Sequence, residues 1–293
     1  MRTRRSAEGD RGTMEVRVGC DFHYETEFPT PTVMQVQPND VGAHRLLRER
    51  WEIEPEVPVH EFRDLYGNTC RRFTMPGGAC HVRYDALAEV PDALDPYHPD
   101  AAQLPVEELP DETLLYTMPS RYCLSDLLSD VAWDLFGDTR PGWARVQAVC
   151  DWVHENVRFQ YGTSTPLTTA LDIYEKRVGV CRDFTHLGVA FCRALNIPAR
   201  YAFGYLPDIG VPPAEDPMDF CAWFEAYLEG GWWTFDPRNN RRRAGRVVIG
   251  RGRDALDVAM STTYGSHTLR AMVVWADEAT AAGSAPRERA PSA

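Results

Sequence analysis

From Met14 onward the apolar residues Val16, Val18, Cys20, Phe22 and Tyr24 alternate with polar ones, the two-residue period of a strand with one buried face. Shorter strand-like runs follow at 32–36, 57–65, 70–75 and 80–87, broken at Gly67-Asn68 and at Pro76-Gly77-Gly78. The first part of the chain therefore reads as an antiparallel β unit. Residues 91–111 are rich in proline and acids and carry little periodicity, as a connector between units does. The period then changes. Residues 125–136 read as a helix, and a second, with Pro141 at its start, sets Val146, Val149, Cys150, Val153 and Val157 on one face from Trp143 onward. A third helix is predicted over 181–195, with Phe184, Leu187, Gly188, Phe191 and Leu195 inward, ended by Asn196-Ile197-Pro198.

Strands are predicted at 199–205, 219–228 and 232–236, the last two joined as a hairpin through Gly230-Gly231, and more strand-like sequence lies at 246–251 and 268–275. Helices followed by antiparallel strands indicate the α+β class, not a parallel βαβ sheet. The expected organisation is an N-terminal β domain over 14–110 and a core domain over 111–279. The segments 1–13 and 280–293, polar or small throughout, are expected to be disordered tails.

Composition narrows the function. The chain has 293 residues, enough for two units, and a net charge of -12, which opposes binding to phosphate backbones and anionic membranes. Neither nucleic acid nor a membrane is an expected partner. Lys176 is the one lysine, so the protein offers almost no amine for crosslinking to itself. Its eight cysteines lack the paired spacing of a zinc ribbon or redox dithiol, and the arginine-rich start is not followed by an apolar segment. A cytoplasmic location with reduced thiols is expected, and no cofactor.

One cysteine stands in a suggestive place. In Gly179-Val180-Cys181-Arg182-Asp183-Phe184, Cys181 falls at the first turn of the predicted helix. Unpaired N–H groups and the positive end of the helix dipole favour a thiolate there. A buried, inert cysteine is the plainer alternative.

The run from Gly179 to Tyr201 resembles the nucleophile helix and following strand of bacterial transglutaminase-like proteins, a papain-type cysteine acyl-transfer fold. Asp219-Phe-Cys-Ala-Trp-Phe-Glu-Ala-Tyr-Leu228 and Trp233-Thr-Phe-Asp236-Pro resemble that family's strand pair, and the β unit with Pro119-Ser-Arg121-Tyr resembles its bacterial N-terminal region. The resemblance implies a Cys, His, Asp centre, with Cys181 as nucleophile and Asp236 as the orienting carboxylate. Where the family has its histidine, this chain has Cys221. A thiol neither matches an imidazole's pKa nor offers Asp236 a second N–H. Alternation puts Cys221, Trp223, Glu225 and Tyr227 on one strand face, with the Cys221 sulfur expected toward Cys181.

Three readings of the replacement stay open. Another base serves, with His186, His154 and His267 as candidates, although His186 lies well round the helix from Cys181. Alternatively Cys181, Cys221 and Asp236 form a redox pair or a soft metal site, for which no ligand motif speaks. In the last, catalysis is lost and the domain is a peptide-binding or scaffolding module. The leading expectation is acyl transfer or amide hydrolysis through Cys181, with Cys221 in the base's place and Asp236 polarising the centre. Its substrate would be a protein, a peptide or a small amide or thioester. Glu225 and Asp183 are expected to pair structurally with Arg200 or Arg182, and Arg241-Arg242-Arg243 to be a solvated loop.

Overall fold

A computed structural model describes residues 12–39, 42–214 and 216–279. Apart from residues 12 and 13, the two expected tails lie outside the described residues. In chain order the strands are β1 (Thr13–Thr26), β2 (Thr30–Met34), β3 (Arg45–Glu54), β4 (His60–Arg63), β5 (Thr69–Met75), β6 (Gly78–Pro91), β7 (Arg158–Phe159), β8 (Val178–Gly179), β9 (Ala199–Tyr205), β10 (Cys221–Leu228), β11 (Gly231–Phe235), β12 (Val247–Gly252), β13 (Ser261–Thr263) and β14 (Thr268–Glu278). The helices are α1 (Asp111–Leu114), α2 (Ser129–Phe136), α3 (Trp143–Asn156), α4 (Ala170–Lys176) and α5 (Cys181–Ala194). The protein is thus α+β, with antiparallel sheets and a helical layer, as the sequence pattern indicates.

The apolar positions predicted for β1 all face a core, although the residues between Val18 and Phe22 are buried as well. β1 pairs antiparallel with β6 from Thr13↔Pro91 to Thr26↔Gly78, and Val16, Val18, Cys20, Phe22 and Tyr24 are all buried. This sheet has the order β14-β1-β6-β3, and a second has the order β13-β2-β5-β4. The chain's end therefore returns to its beginning: β14 pairs with β1 and β13 with β2. Local periodicity finds the strand at 268–275 but carries no information about so distant a partner. β3 escaped the sequence reading for another reason: it is an edge strand, none of its ten residues is fully buried, and charges interrupt its alternation.

The third sheet, β11-β10-β9-β12, is central. One face presents Ala199, Phe224, Ala226 and Leu228 to the helices, and the same helical core takes in Val146, Val149, Leu187 and Phe191. Tyr201, Phe203, Tyr205 and Ala222 instead join the core of the N-terminal sheets, with Phe22 and Tyr84. The α5 helix lies close to β10 because Gly188 has no side chain: a Cβ there would stand 2.8 Å from Cε1 of Phe224, a fully buried ring. Among the described residues no helix is long and apolar enough to cross a membrane.

Filling that contact should lift α5 from its sheet. Gly188→Val is expected to destabilise the protein by about 1–3 kcal/mol through overpacking, read as a lowered urea midpoint with unchanged slope. An unchanged midpoint would show that the helix is not held by this close approach.

Candidate active site

The turn before α5 fixes where the cysteine points. Gly179 closes the short parallel β7–β8 pair, and a Cβ on it would stand 2.8 Å from the Asp183 Cβ. Val180 then caps the helix, its N–H donating to Asp183 Oδ2 at 2.8 Å. Asp183 is fully buried. Its Oδ1 accepts from Ser164 Oγ at 2.9 Å and from Arg182 Nη2 at 3.2 Å, and the same guanidinium donates to the Thr165 carbonyl at 2.9 Å. This pair is structural, as expected: it ties the 164–165 loop to the head of α5 and leaves Cys181 as the first helical residue.

Cys181 is the one partly exposed cysteine; the other seven are buried. Its thiol donates to the Phe220 carbonyl at 3.8 Å, so it lies against the main chain at the start of β10. Two cavities meet at this sulfur. One, of about 520 Å³, is walled by Tyr201, Phe203, Phe220, Val258 and Met260. The other, of about 230 Å³, has the polar and charged residues Asp216, Asp219, Arg238, Asn239 and Arg241 along its border. Burial pushes the Cys181 thiol up to about 11, and the Asp219 carboxylate adds to the rise. The Arg238 cation and the Ala222 N–H act in the opposite direction.

Cys221 lines both cavities as well. Its place in β10 opposes Gly204, and it packs with Ala202, Trp223 and Val248, whereas Phe224 faces α5. The two cysteines meet the same space because Cys181 reaches the strand's first residues, not because β10 turns that face to the helix. Burial, then Asp236, then Cys181 hold the Cys221 thiol further above its ordinary value than that of Cys181.

Asp236 is nearly buried at the end of β11. Its Oδ1 accepts from the Asn239 N–H at 2.9 Å, and its Oδ2 from Asn239 Nδ2 at 2.8 Å and from Arg246 Nη2 at 2.9 Å. Arg246 also donates through Nε to both oxygens of Asp95 at 3.0 Å, and its guanidinium lies 4.8 Å from the Trp223 ring centre. Asp236 and Asp95 together raise the Arg246 pKa, securing its charge despite burial. The stretch read as a connector thus supplies a partly buried carboxylate to the site.

None of the three candidate histidines lines either cavity. His186 is fully buried with its ring 5.0 Å from that of Tyr122 and 5.1 Å from that of Tyr201, and its Nε2 accepts the Ala255 N–H at 3.1 Å. Burial and the charges of Arg182 and Arg193 hold it neutral, well below its usual pKa. His154 Nδ1 donates to the Arg238 carbonyl at 2.9 Å, bracing the turn after Asp236. His267 hydrogen-bonds Thr263 at 2.8 Å between β13 and β14.

The remaining charges divide. Glu225 is buried between Arg200, at 2.6 Å, and Arg251, at 2.8 Å. Arg243 corrects the expectation of a solvated arginine loop: it is buried, donating to the Pro207 carbonyl at 2.8 Å and pairing with Asp208 at 3.1 Å. Two cleft residues went unmarked in the sequence reading. Asp219, two residues before Cys221, has its carboxyl raised by burial. Arg238, two residues after Asp236, lies over the Phe159 ring at 4.0 Å, where the field of both sulfurs raises its pKa against the cost of burial. Each could have been found by asking which charged residues flank a nucleophile's neighbours within two positions.

The sequence profile of the transglutaminase-like superfamily matches residues 131–237. A candidate cysteine protease of known structure from Cytophaga hutchinsonii superposes with a TM-score of 0.83, at 31% identity over 91% of each chain. An uncharacterised protein of Mycobacterium tuberculosis is 28% identical over 245 residues, 75% of this chain and 77% of its own length. One from Mycobacterium leprae is 35% identical over 118 residues, and the present chain spans 42% of that relative.

Arg246 pairs with two carboxylates at once, buried Asp236 and partly buried Asp95. Arg246→Met, which keeps the bulk and removes the charge, is expected to cost about 3–5 kcal/mol of stability in chemical denaturation. A loss below about 1 kcal/mol would mean that Asp95 and Asp236 find other partners.

Proposed function

This chain belongs to the transglutaminase-like superfamily, and on that premise we propose that it is a cysteine acyltransferase or hydrolase whose nucleophile is Cys181. The acyl donor is a protein or peptide amide, or a small amide or thioester. The observation that carries the reading is that one thiol of eight is partly exposed, and that it borders the cleft from the head of a buried helix. The Cys181 and Arg182 amides precede the first turn's hydrogen bonds, which begin with the Asp183 N–H to the Val180 carbonyl at 2.8 Å, and can donate to a developing oxyanion.

The reaction needs a proton acceptor. In this reading Cys221 occupies the base's position without its chemistry: burial and the charge of Asp236 keep it a neutral thiol, which cannot take a proton at neutral pH. Asp219 takes that part. It borders both cavities with Cys181 and is the largest charge acting on that thiol. As the sulfur bonds to the carbonyl carbon, the thiol proton passes to the Asp219 carboxylate, and the π electrons move onto the oxygen. The tetrahedral intermediate then expels the leaving amine or thiol, which receives the proton from Asp219. Water or an amine then attacks the thioester so formed, giving its proton to the Asp219 carboxylate; the C–S bond breaks and the Cys181 sulfur takes that proton back. Arg238 stabilises the sulfur anion, and Asp236, neutralised by Arg246, fixes the turn that carries Arg238.

This centre differs from a Cys–His ion pair in its pH dependence. A thiol pushed up to about 11 is protonated at neutrality, and reactivity is gained only as pH rises toward that value. Carbamidomethylation of Cys181 by iodoacetamide is expected to accelerate about tenfold per pH unit between about pH 7 and 10, without a neutral plateau. Arg238→Gln should slow it several-fold at each pH, and Cys181→Ser should abolish fast labelling. Labelling of Cys181 no faster than that of buried Cys192 would overturn the assignment.

Supplying the absent imidazole tests the centre from the other side. Cys221→His is expected to raise the labelling rate at pH 7 by about tenfold or more and to bring measurable hydrolysis of an activated ester. A folded variant that gains neither would favour a second reading, a peptide-holding module. The capture of Asp236 by Arg246 and Asn239 is the observation on that reading's side.

A further inference from the structure

The strongest unassigned cluster lies far from the cleft in sequence and chemistry, on the face of the N-terminal sheet opposite its apolar core. β1 and β6 set His23 directly across from His81, with Asp21 on the same face two residues before His23. The two imidazoles stack at 4.5 Å between ring centres and 13° between planes, and both aim Nε2 at one oxygen, Asp21 Oδ1, at 3.1 and 2.7 Å. One donor atom from each of the three residues lies within 4.8 Å of the others.

We propose that Asp21, His23 and His81 bind a divalent transition-metal ion, with zinc the best match, as a clip across β1 and β6. Two imidazole nitrogens and a carboxylate oxygen are borderline ligands of the kind zinc takes. Donor atoms about 2.0–2.1 Å from a four-coordinate zinc stand about 3.3 Å apart, so the cluster need open only slightly to admit the ion. Its surroundings are ordered for the purpose. Arg83 Nη1 donates to Asp21 Oδ2 at 3.0 Å, fixing the carboxylate while leaving Oδ1 to the ion. Glu54 lies 4.0 Å from His81 Nδ1, on the side where a carboxylate holds a ligating imidazole in the tautomer that presents Nε2. The His23 side chain is 53% exposed, which leaves coordination positions open to water. Without an ion, the same contacts amount to a hydrogen-bonded His–Asp–His cluster.

Zinc titration of the full chain in reductant, followed by equilibrium dialysis and thermal melting, separates the two. One equivalent of zinc should bind and raise the melting temperature, and a chelator should reverse both effects. His23→Asn, at an exposed position, and His81→Gln should each weaken binding at least tenfold, and Glu54→Gln should weaken it less. With cobalt(II) the spectrum should lack thiolate charge-transfer bands, which excludes the cysteines. No binding at about a hundredfold metal excess, or equal binding by the His23→Asn and His81→Gln variants, would overturn the proposal.

Discussion

Everything about the cleft depends on the seating of α5 against the central sheet. Leu187, Val189, Ala190, Phe191 and Cys192 are fully buried along this one helix, and each large apolar side chain contributes about 1.5–3 kcal/mol by leaving water. That burial holds the helix axis, while Asp183 holds its head by bonding Val180, Ser164 and Arg182 at once. With both constraints in force, Cys181 has little freedom to be anywhere but against the first residues of β10. The position of Cys181 is thus set by packing behind it, not by contacts of the thiol itself.

Charge around Cys221 is arranged differently from that of a Cys, His, Asp centre. A buried carboxylate needs a counter-charge or donors, and in a Cys, His, Asp centre an imidazole can supply them. Here Asp236 draws on Arg246 and Asn239, and Arg246 draws in Asp95 from the other side. Cys221 is left beside an anion in an apolar strand face, which favours its neutral form. Arg238, meanwhile, sits in the field of both sulfurs. Fixed cations can stabilise a thiolate but cannot generate one, which is why the proposed reaction gives the proton to Asp219.

The sequence showed the helices because their apolar period persists for three or four turns, as in Trp143–Asn156 and Cys181–Ala194. It showed the β10–β11 hairpin because Gly230 and Gly231 take positive φ between paired aromatics. It passed over α4, whose seven residues are too few for a period to emerge, although the Thr169–Asp172 capping box was present as a local signal. Partners distant in sequence were invisible for a deeper reason. Nothing near Asp95 announces Arg246, nothing near His23 announces His81, and the burial of Arg243 follows from Asp208 and the Pro207 carbonyl. Single-residue patterns report which face is buried; they do not report what lies across it.

That same limit bears on where the functional unit ends. The family profile stops at Pro237, yet a segment cut there would lose Arg246 and leave Asp236 without its cation. It would also lose Val258, Met260 and Met272, which wall the larger cavity. Tyr201, Phe203, Tyr205 and Ala222 would be exposed where they now pack with Phe22 and Tyr84 of the N-terminal sheet. Since β14 completes that sheet through β1, the first and last strands stabilise the cleft's floor together. The cleft is therefore a property of the paired β1 and β14 strands as much as of the α5 helix and the β10–β11 hairpin.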